Sequence, residues 1–179
     1  LTTGDPIQMG RLTRGGRPST CGGPNACAIF DPSLFHYKAH TFVNTSSSPA
    51  CVVATITTAC SVANRIFAGA YLNSFDPANI CTNNIGDSGF SPIPGAPTRS
   101  FAFTVPAGAT YIIVVSEVDA NAGCSDYTLY VTGVPCPALA LNISTRMQVQ
   151  TGDNVLIGGF IIGGTEPKDV AVRGLGPSL

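Results

Sequence analysis

The sequence predicts an all-β protein, a β-sandwich stapled by disulfides. Three observations lead there. Apolar residues alternate at period two, and no apolar stretch holds period 3.6, the helical repeat. Clusters of Pro, Gly, Asn and Ser recur at short intervals, as the turns between short strands require. Seven cysteines are spread through 179 residues of which only 11% are charged, a combination suited to cross-linked strands in an oxidising compartment.

In chain order, residues 1–36 read as an N-terminal extension holding a small disulfide loop, and residues 37–134 as the sandwich domain. Strands are expected at 38–45, 50–58 and 65–73. Asn83 to Pro97 carries Pro92, Pro94 and Pro97 and reads as one long loop, because each proline removes a backbone donor. In Ser100-Phe101-Ala102-Phe103-Thr104-Val105 the large residues fall on one face, and Tyr127-Thr128-Leu129-Tyr130-Val131 repeats the alternation, so both read as half-buried strands. Tyr111-Ile112-Ile113-Val114-Val115 is apolar on both faces, as expected of a central strand in a sandwich core.

The segment 134–140, Val-Pro-Cys-Pro-Ala-Leu-Ala, is a stiff connector. Residues 135–179 then read as a C-terminal β extension with apolar stretches at 143–149, 155–162 and 170–172. A piece this short buries too little surface to offset its conformational entropy, so these strands are expected to dock on the first domain or on a neighbouring subunit.

Composition narrows the function. The net charge of -1 gives no global field for nucleic acid or anionic lipid, and both are set aside as partners. No run of 18 apolar residues offers a bilayer span. The absence of an initiator Met and of a charged-then-apolar leader fits a processed, secreted chain. Zinc and haem sites need close Cys motifs that are missing. Pairing the nearest cysteines first gives Cys21–Cys27 across a Gly-Pro-Asn turn and Cys60–Cys81, which leaves Cys51–Cys124; closing so long a loop removes roughly 4 kcal/mol of unfolded-state entropy in the chain-entropy account. Cys136 is then the odd thiol, free or available for an intermolecular bridge.

Several motifs invite a chemical reading. Gly86-Asp87-Ser88-Gly89 copies the stretch around the nucleophile of chymotrypsin-like proteases, and His40 and Asp76 precede Ser88 in the order of that triad. The spacing from His40 to Ser88 is too short for the two barrels that build such a site, so a polar loop is expected instead. His36 and His40 have helical metal-site spacing, but on a strand they stand ~13 Å apart, too far to share an ion. Asp119 and Asn121, with Glu117 and Asp126 nearby, form half a calcium loop that lacks the closing bidentate Glu. They are the one weak metal candidate, and no other cofactor is expected. Gly158-Gly159 and Gly163-Gly164 flank an apolar strand without the pattern of a nucleotide loop. Asn44-Thr45-Ser46 and Asn142-Ile143-Ser144 fit the glycosylation sequon.

Tyr37-Lys38-Ala39-His40-Thr41-Phe42, then Arg65 to Leu72, then Val105-Pro106-Ala107-Gly108-Ala109-Thr110-Tyr111 and the closing Tyr127-Thr128-Leu129-Tyr130-Val131-Thr132-Gly133 carry a family likeness. On these segments residues 37–133 resemble the bacterial pre-peptidase C-terminal domain, a secreted, jelly-roll-like β-sandwich that accompanies enzymes and is not itself catalytic. The number of cysteines and the long Asn83–Pro97 loop depart from that family's general pattern. Residues 143–179, with Thr151-Gly152-Asp153-Asn154-Val155-Leu156-Ile157-Gly158-Gly159-Phe160-Ile161-Ile162 and the ending Gly174-Leu175-Gly176-Pro177-Ser178-Leu179, are similar to a module of large bacterial surface and secreted proteins that usually continues past this point. An incomplete β-unit leaves unpaired edges, which are templates for another chain. The expected function is therefore that of a non-catalytic, extracellular filament subunit assembling with copies of itself by strand addition. Val155, Leu156, Ile157, Phe160, Ile161 and Ile162 form the donor strand, with Val170 and Val172 on its neighbour. The alternative is a monomeric binding or accessory module of a larger secreted enzyme or adhesin, recognising carbohydrate or protein. No nucleophile with a supporting base and orienting group is recognisable, and no enzymatic activity is expected.

Overall fold

Alternation decides what goes inside. In β3 (Ala50–Thr58) and β6 (Thr98–Val105), Val52, Ala54, Ile56, Phe101, Phe103 and Val105 are buried, while their chain neighbours are partly or fully exposed. The computed structural model describes residues 1–134, which form one compact unit from Leu1 to Val134. Its other strands are β1 (Ile7–Leu12), β2 (Ile29–Val43), β4 (Ile66–Leu72), β5 (Asn84–Asp87), β7 (Thr110–Glu117) and β8 (Tyr127–Thr132). The described residues contain no helix, and every strand pairing is antiparallel. A five-stranded sheet runs β1-β2-β7-β4-β5 and a three-stranded sheet β6-β3-β8. The protein is an all-β sandwich stapled by three disulfides.

The main core lies between the sheets. Ile66, Ala68 and Ala70 of β4 and Tyr111, Ile113 and Val115 of β7 meet the inner faces of β3 and β6. Phe103 packs edge-on against Tyr111 at 5.7 Å, and Phe42 stacks on the same ring at 5.3 Å. The intervening residues Phe67, Tyr71, Ile112 and Val114 are buried on the opposite face of the large sheet, under Leu12, Ile80, Val118, Tyr37 and Phe75. Strand β2 makes this second layer possible. Its first half pairs with β1 and its second half, Tyr37 to Val43, pairs with β7.

Three expectations are corrected. Residues 1–36, read as an extension, supply β1 and the first half of β2; Gly10, with φ +89, interrupts the alternation of β1 where its register shifts and hides the strand signal. Within Asn83–Pro97, Asn84–Asp87 is a short edge strand on β4, too brief to show a period. The cysteines pair as Cys21–Cys51, Cys27–Cys81 and Cys60–Cys124, not as nearest neighbours. The turn at 20–23 is closed by reciprocal Thr20 and Gly23 backbone bonds, so Cys21 is turned to Cys51 beside Thr104, whose hydroxyl donates to the Cys21 carbonyl at 2.9 Å. Cys27–Cys81 ties the start of the ribbon to the loop after β4 over the second core. Cys60–Cys124 joins the end of β3 to the loop before β8.

Peptide mapping of unreduced protein is expected to return these three pairs, and a Cys27→Ala/Cys81→Ala variant to lose roughly 4 kcal/mol of stability, as loop-closure entropy implies. The Tyr111 hydroxyl is buried without a hydrogen-bond partner, and burial pushes its pKa up to about 12. Tyr111→Phe is therefore expected to raise stability by about 1 kcal/mol in urea unfolding.

Candidate functional site

The acidic loop is organised from within. Glu117, fully buried at the end of β7, accepts hydrogen bonds from the backbone N–H groups of His36 at 3.0 Å, Asn121 at 3.1 Å and Gly123 at 2.8 Å, and lies 3.2 Å from His36 Nδ1. Asp119 faces the Arg65 guanidinium, with contacts of 3.0 to 3.2 Å. The Glu117 and Asp119 carboxylates proposed for calcium are thus turned to protein donors, and the Asn121 N–H is itself one of the donors to Glu117. Among the described residues no group of three or more His, Cys, Asp or Glu side chains is placed to hold a metal ion.

Ser88, His40 and Asp76 are not brought together either. Ser88 is buried and donates to the Phe90 carbonyl at 2.9 Å. His40 Nε2 lies 3.0 Å from the Tyr127 hydroxyl, and Asp76 accepts from the Ala78 N–H at 2.9 Å. The Gly86-Asp87-Ser88-Gly89 stretch is instead the receptor for the N-terminal segment. Asp87 Oδ1 accepts from Asn25 Nδ2 at 2.9 Å and from the Gly89 N–H at 2.8 Å, and Ser19 Oγ accepts from the Asp87 N–H at 2.9 Å. Gly89 has φ +64, and a Cβ there would overlap the Arg17 carbonyl, so only glycine admits the segment this closely. Asn44 of the first sequon is also fully buried; Nδ2 donates to the carbonyls of Ser48, Val105 and Pro106 at 3.0, 3.1 and 3.0 Å.

What remains is surface. The outer face of β6-β3-β8 carries the cross-strand rows Thr98–Thr57–Thr128 and Ser100–Thr55–Tyr130. Thr55 Oγ1 lies 2.8 Å from Ser100 Oγ, and Thr57 Oγ1 lies 3.0 Å from Thr98 Oγ1. No outward position of the three strands is charged, and Tyr130 is 68% exposed. Along β6 an open cleft of about 410 Å³ is lined by Pro18, Ser88, Phe90, Thr98, Arg99 and Ser100.

Two further features face outward. Among the described residues β8 pairs only with β3, so its other edge is open, and its inward residues Leu129 and Val131 are only half-buried. On the β1–β2 ribbon Ile7, Met9, Ile29, Phe30 and Leu34 are each about half-exposed or more, with the Arg11 guanidinium 4.6 Å from the Phe30 ring centroid. No helix of the described residues is long and apolar enough to cross a membrane. Val155, Leu156, Ile157, Phe160, Ile161, Ile162, Val170 and Val172, with Cys136, lie outside the described residues.

The alternation of Tyr127 to Val131 marks a half-buried strand but does not by itself single out Tyr130 as a surface ring. The signal lies in its neighbours: Tyr130 falls between Leu129 and Val131, so if those face inward it must face out.

Burial raises the Asp87 pKa, against the hydrogen bonds from Asn25 and Gly89 that lower it. A carboxyl raised in the folded state binds its proton more tightly there than in the unfolded chain. Its contribution to stability is full below the ordinary carboxylate range, near pH 4, and is lost as pH rises through the raised value. Urea unfolding across this interval is expected to show that loss in the native protein and not in Asp87→Asn, whose amide oxygen can accept the same two bonds.

Comparisons of the chain with family models, curated proteins and solved structures found no match.

Proposed function

We propose that this protein is a non-catalytic, extracellular structural subunit, a sandwich of the pre-peptidase C-terminal type that assembles head to tail by β-strand addition. The observation that carries the reading is the open edge of β8. Among the described residues three strands face five across the core, and Leu129 and Val131 are left half-buried at a margin that no other described strand covers. A strand added there satisfies the free backbone groups of β8 and buries those side chains. Residues 155–162, the longest apolar stretch beyond the described residues, supply that strand from a neighbouring copy. Donor and acceptor are then different surfaces, a heterologous contact that continues into a filament when the rotation between copies does not close. Three disulfides in one small unit accord with an oxidising compartment.

Negative-stain microscopy of the native, unreduced protein is expected to show fibres repeating at the size of one small domain, and Ile157→Asp with Ile161→Asp to abolish them. Dispersed single particles, or fibres that persist in the double variant, overturn the reading and leave a monomeric binding module in its place.

A further inference from the structure

We propose that the outer face of β6-β3-β8, with the cleft beside β6, is a docking platform for a flat, uncharged polysaccharide. The proposal is independent of filament assembly, because it uses a sheet face and not a strand edge.

The face combines three properties that suit such a partner. It is broad, since neighbouring strands lie ~4.8 Å apart and side chains on one face repeat every ~6.7 Å along each strand. It is neutral at every outward position, so an anionic or cationic partner finds no counter-charge at those positions. It is dense in hydroxyls already oriented by one another, Thr55 with Ser100 and Thr57 with Thr98. Each such hydroxyl still has hydrogen-bonding capacity for a second partner. Sugar hydroxyls are donors and acceptors of the same kind.

Aromatic rings stand at both margins. Tyr130 projects from β8 and is 68% exposed; Phe90, 44% exposed, lines the cleft on the β6 side. The pyranose ring presents a C–H face that packs on an aromatic face, and a chain lying across the sheet from Phe90 to Tyr130 spans about two strand intervals, ~10 Å, plus the cleft. The cleft also contains Arg99, whose guanidinium lies 5.6 Å from the Phe90 ring centroid and whose Nε is buried without a hydrogen-bond partner. It is the one charged residue lining the cleft, and its Nη1 donates to the Thr98 carbonyl at 3.1 Å. A neutral, unbranched β-1,4-linked glycan offers the matching chemistry: a flat ribbon, hydroxyls along both edges and C–H faces above and below.

The test is retention of the full-length native chain on microcrystalline cellulose and on chitin, at low and at high salt. The expected result is salt-insensitive retention on one or both, reduced about tenfold by Tyr130→Ala, the loss of one stacking contact, and kept in Tyr130→Phe and in Leu34→Ser on the distant ribbon. Thermal unfolding of Tyr130→Ala, an exposed residue, is expected to match the native midpoint, which separates lost contact from lost fold. Absence of retention on both solids overturns the proposal. Retention that salt abolishes, or that Tyr130→Ala leaves intact, overturns it as well. Fibres seen without polysaccharide binding sink this inference alone, and binding by dispersed particles sinks the assembly reading alone.

Discussion

A strand that is apolar on both faces has to be covered twice, and this one requirement organises the molecule. Strands β4 and β7 turn Ile66, Ala68, Ile113 and Val115 to one side and Phe67, Tyr71, Ile112 and Val114 to the other, all buried. The small sheet β6-β3-β8 covers the first side. The second is covered by the β1–β2 ribbon and the loop carrying Phe75 and Ile80, an arrangement that a plain two-sheet sandwich lacks. Burying a large apolar side chain contributes about 1.5–3 kcal/mol, so the outer layer adds substantially to stability although it contains few strands. It also explains the length of β2, which serves the main sheet at one end and the covering ribbon at the other.

Polar groups hold the covering layer in register where side-chain packing alone does not. Glu117 gathers the His36 N–H of the ribbon and two N–H groups of the loop that follows β7 onto one buried side chain. Asp87, Ser19 and Asn25 do the same for the N-terminal segment against β5. In both places a residue that looked like a ligand or a catalytic neighbour in the sequence is spent on backbone donors that would otherwise be buried unpaired. The ambiguity is inherent: a carboxyl beside glycines and asparagines suits a metal loop and a backbone anchor equally well, and only the direction of the side chain separates them.

The strands with clean alternation were legible because side-chain period and burial coincide. Phe101, Phe103 and Val105 face inward as their spacing demands, and the run Tyr111 to Val115 is buried on both faces. Strands β1 and β5 escaped notice for opposite reasons, a Gly10 that breaks the rhythm and a length of four residues that has none. Disulfide partners were illegible because proximity in sequence says nothing about a segment that crosses from one sheet to the other. The candidate surface was half legible. Its threonines read as ordinary strand formers, and only the registers that place Thr98, Thr57 and Thr128 in one row, and Ser100, Thr55 and Tyr130 in the next, turn them into a face.

The three disulfides interlock along the chain. Cys27 lies between Cys21 and Cys51, and Cys60 lies between Cys27 and Cys81, before Cys124. Every peptide bond from Cys21 to Cys124 is therefore spanned by at least one cross-link. A protease that cuts once anywhere in that interval, just after Cys21 or in the proline-rich stretch before β6, opens a loop but releases no fragment. The severed ends stay tethered within the sheets that hold them, and a nicked molecule keeps its covalent continuity until a reductant or a second cut intervenes.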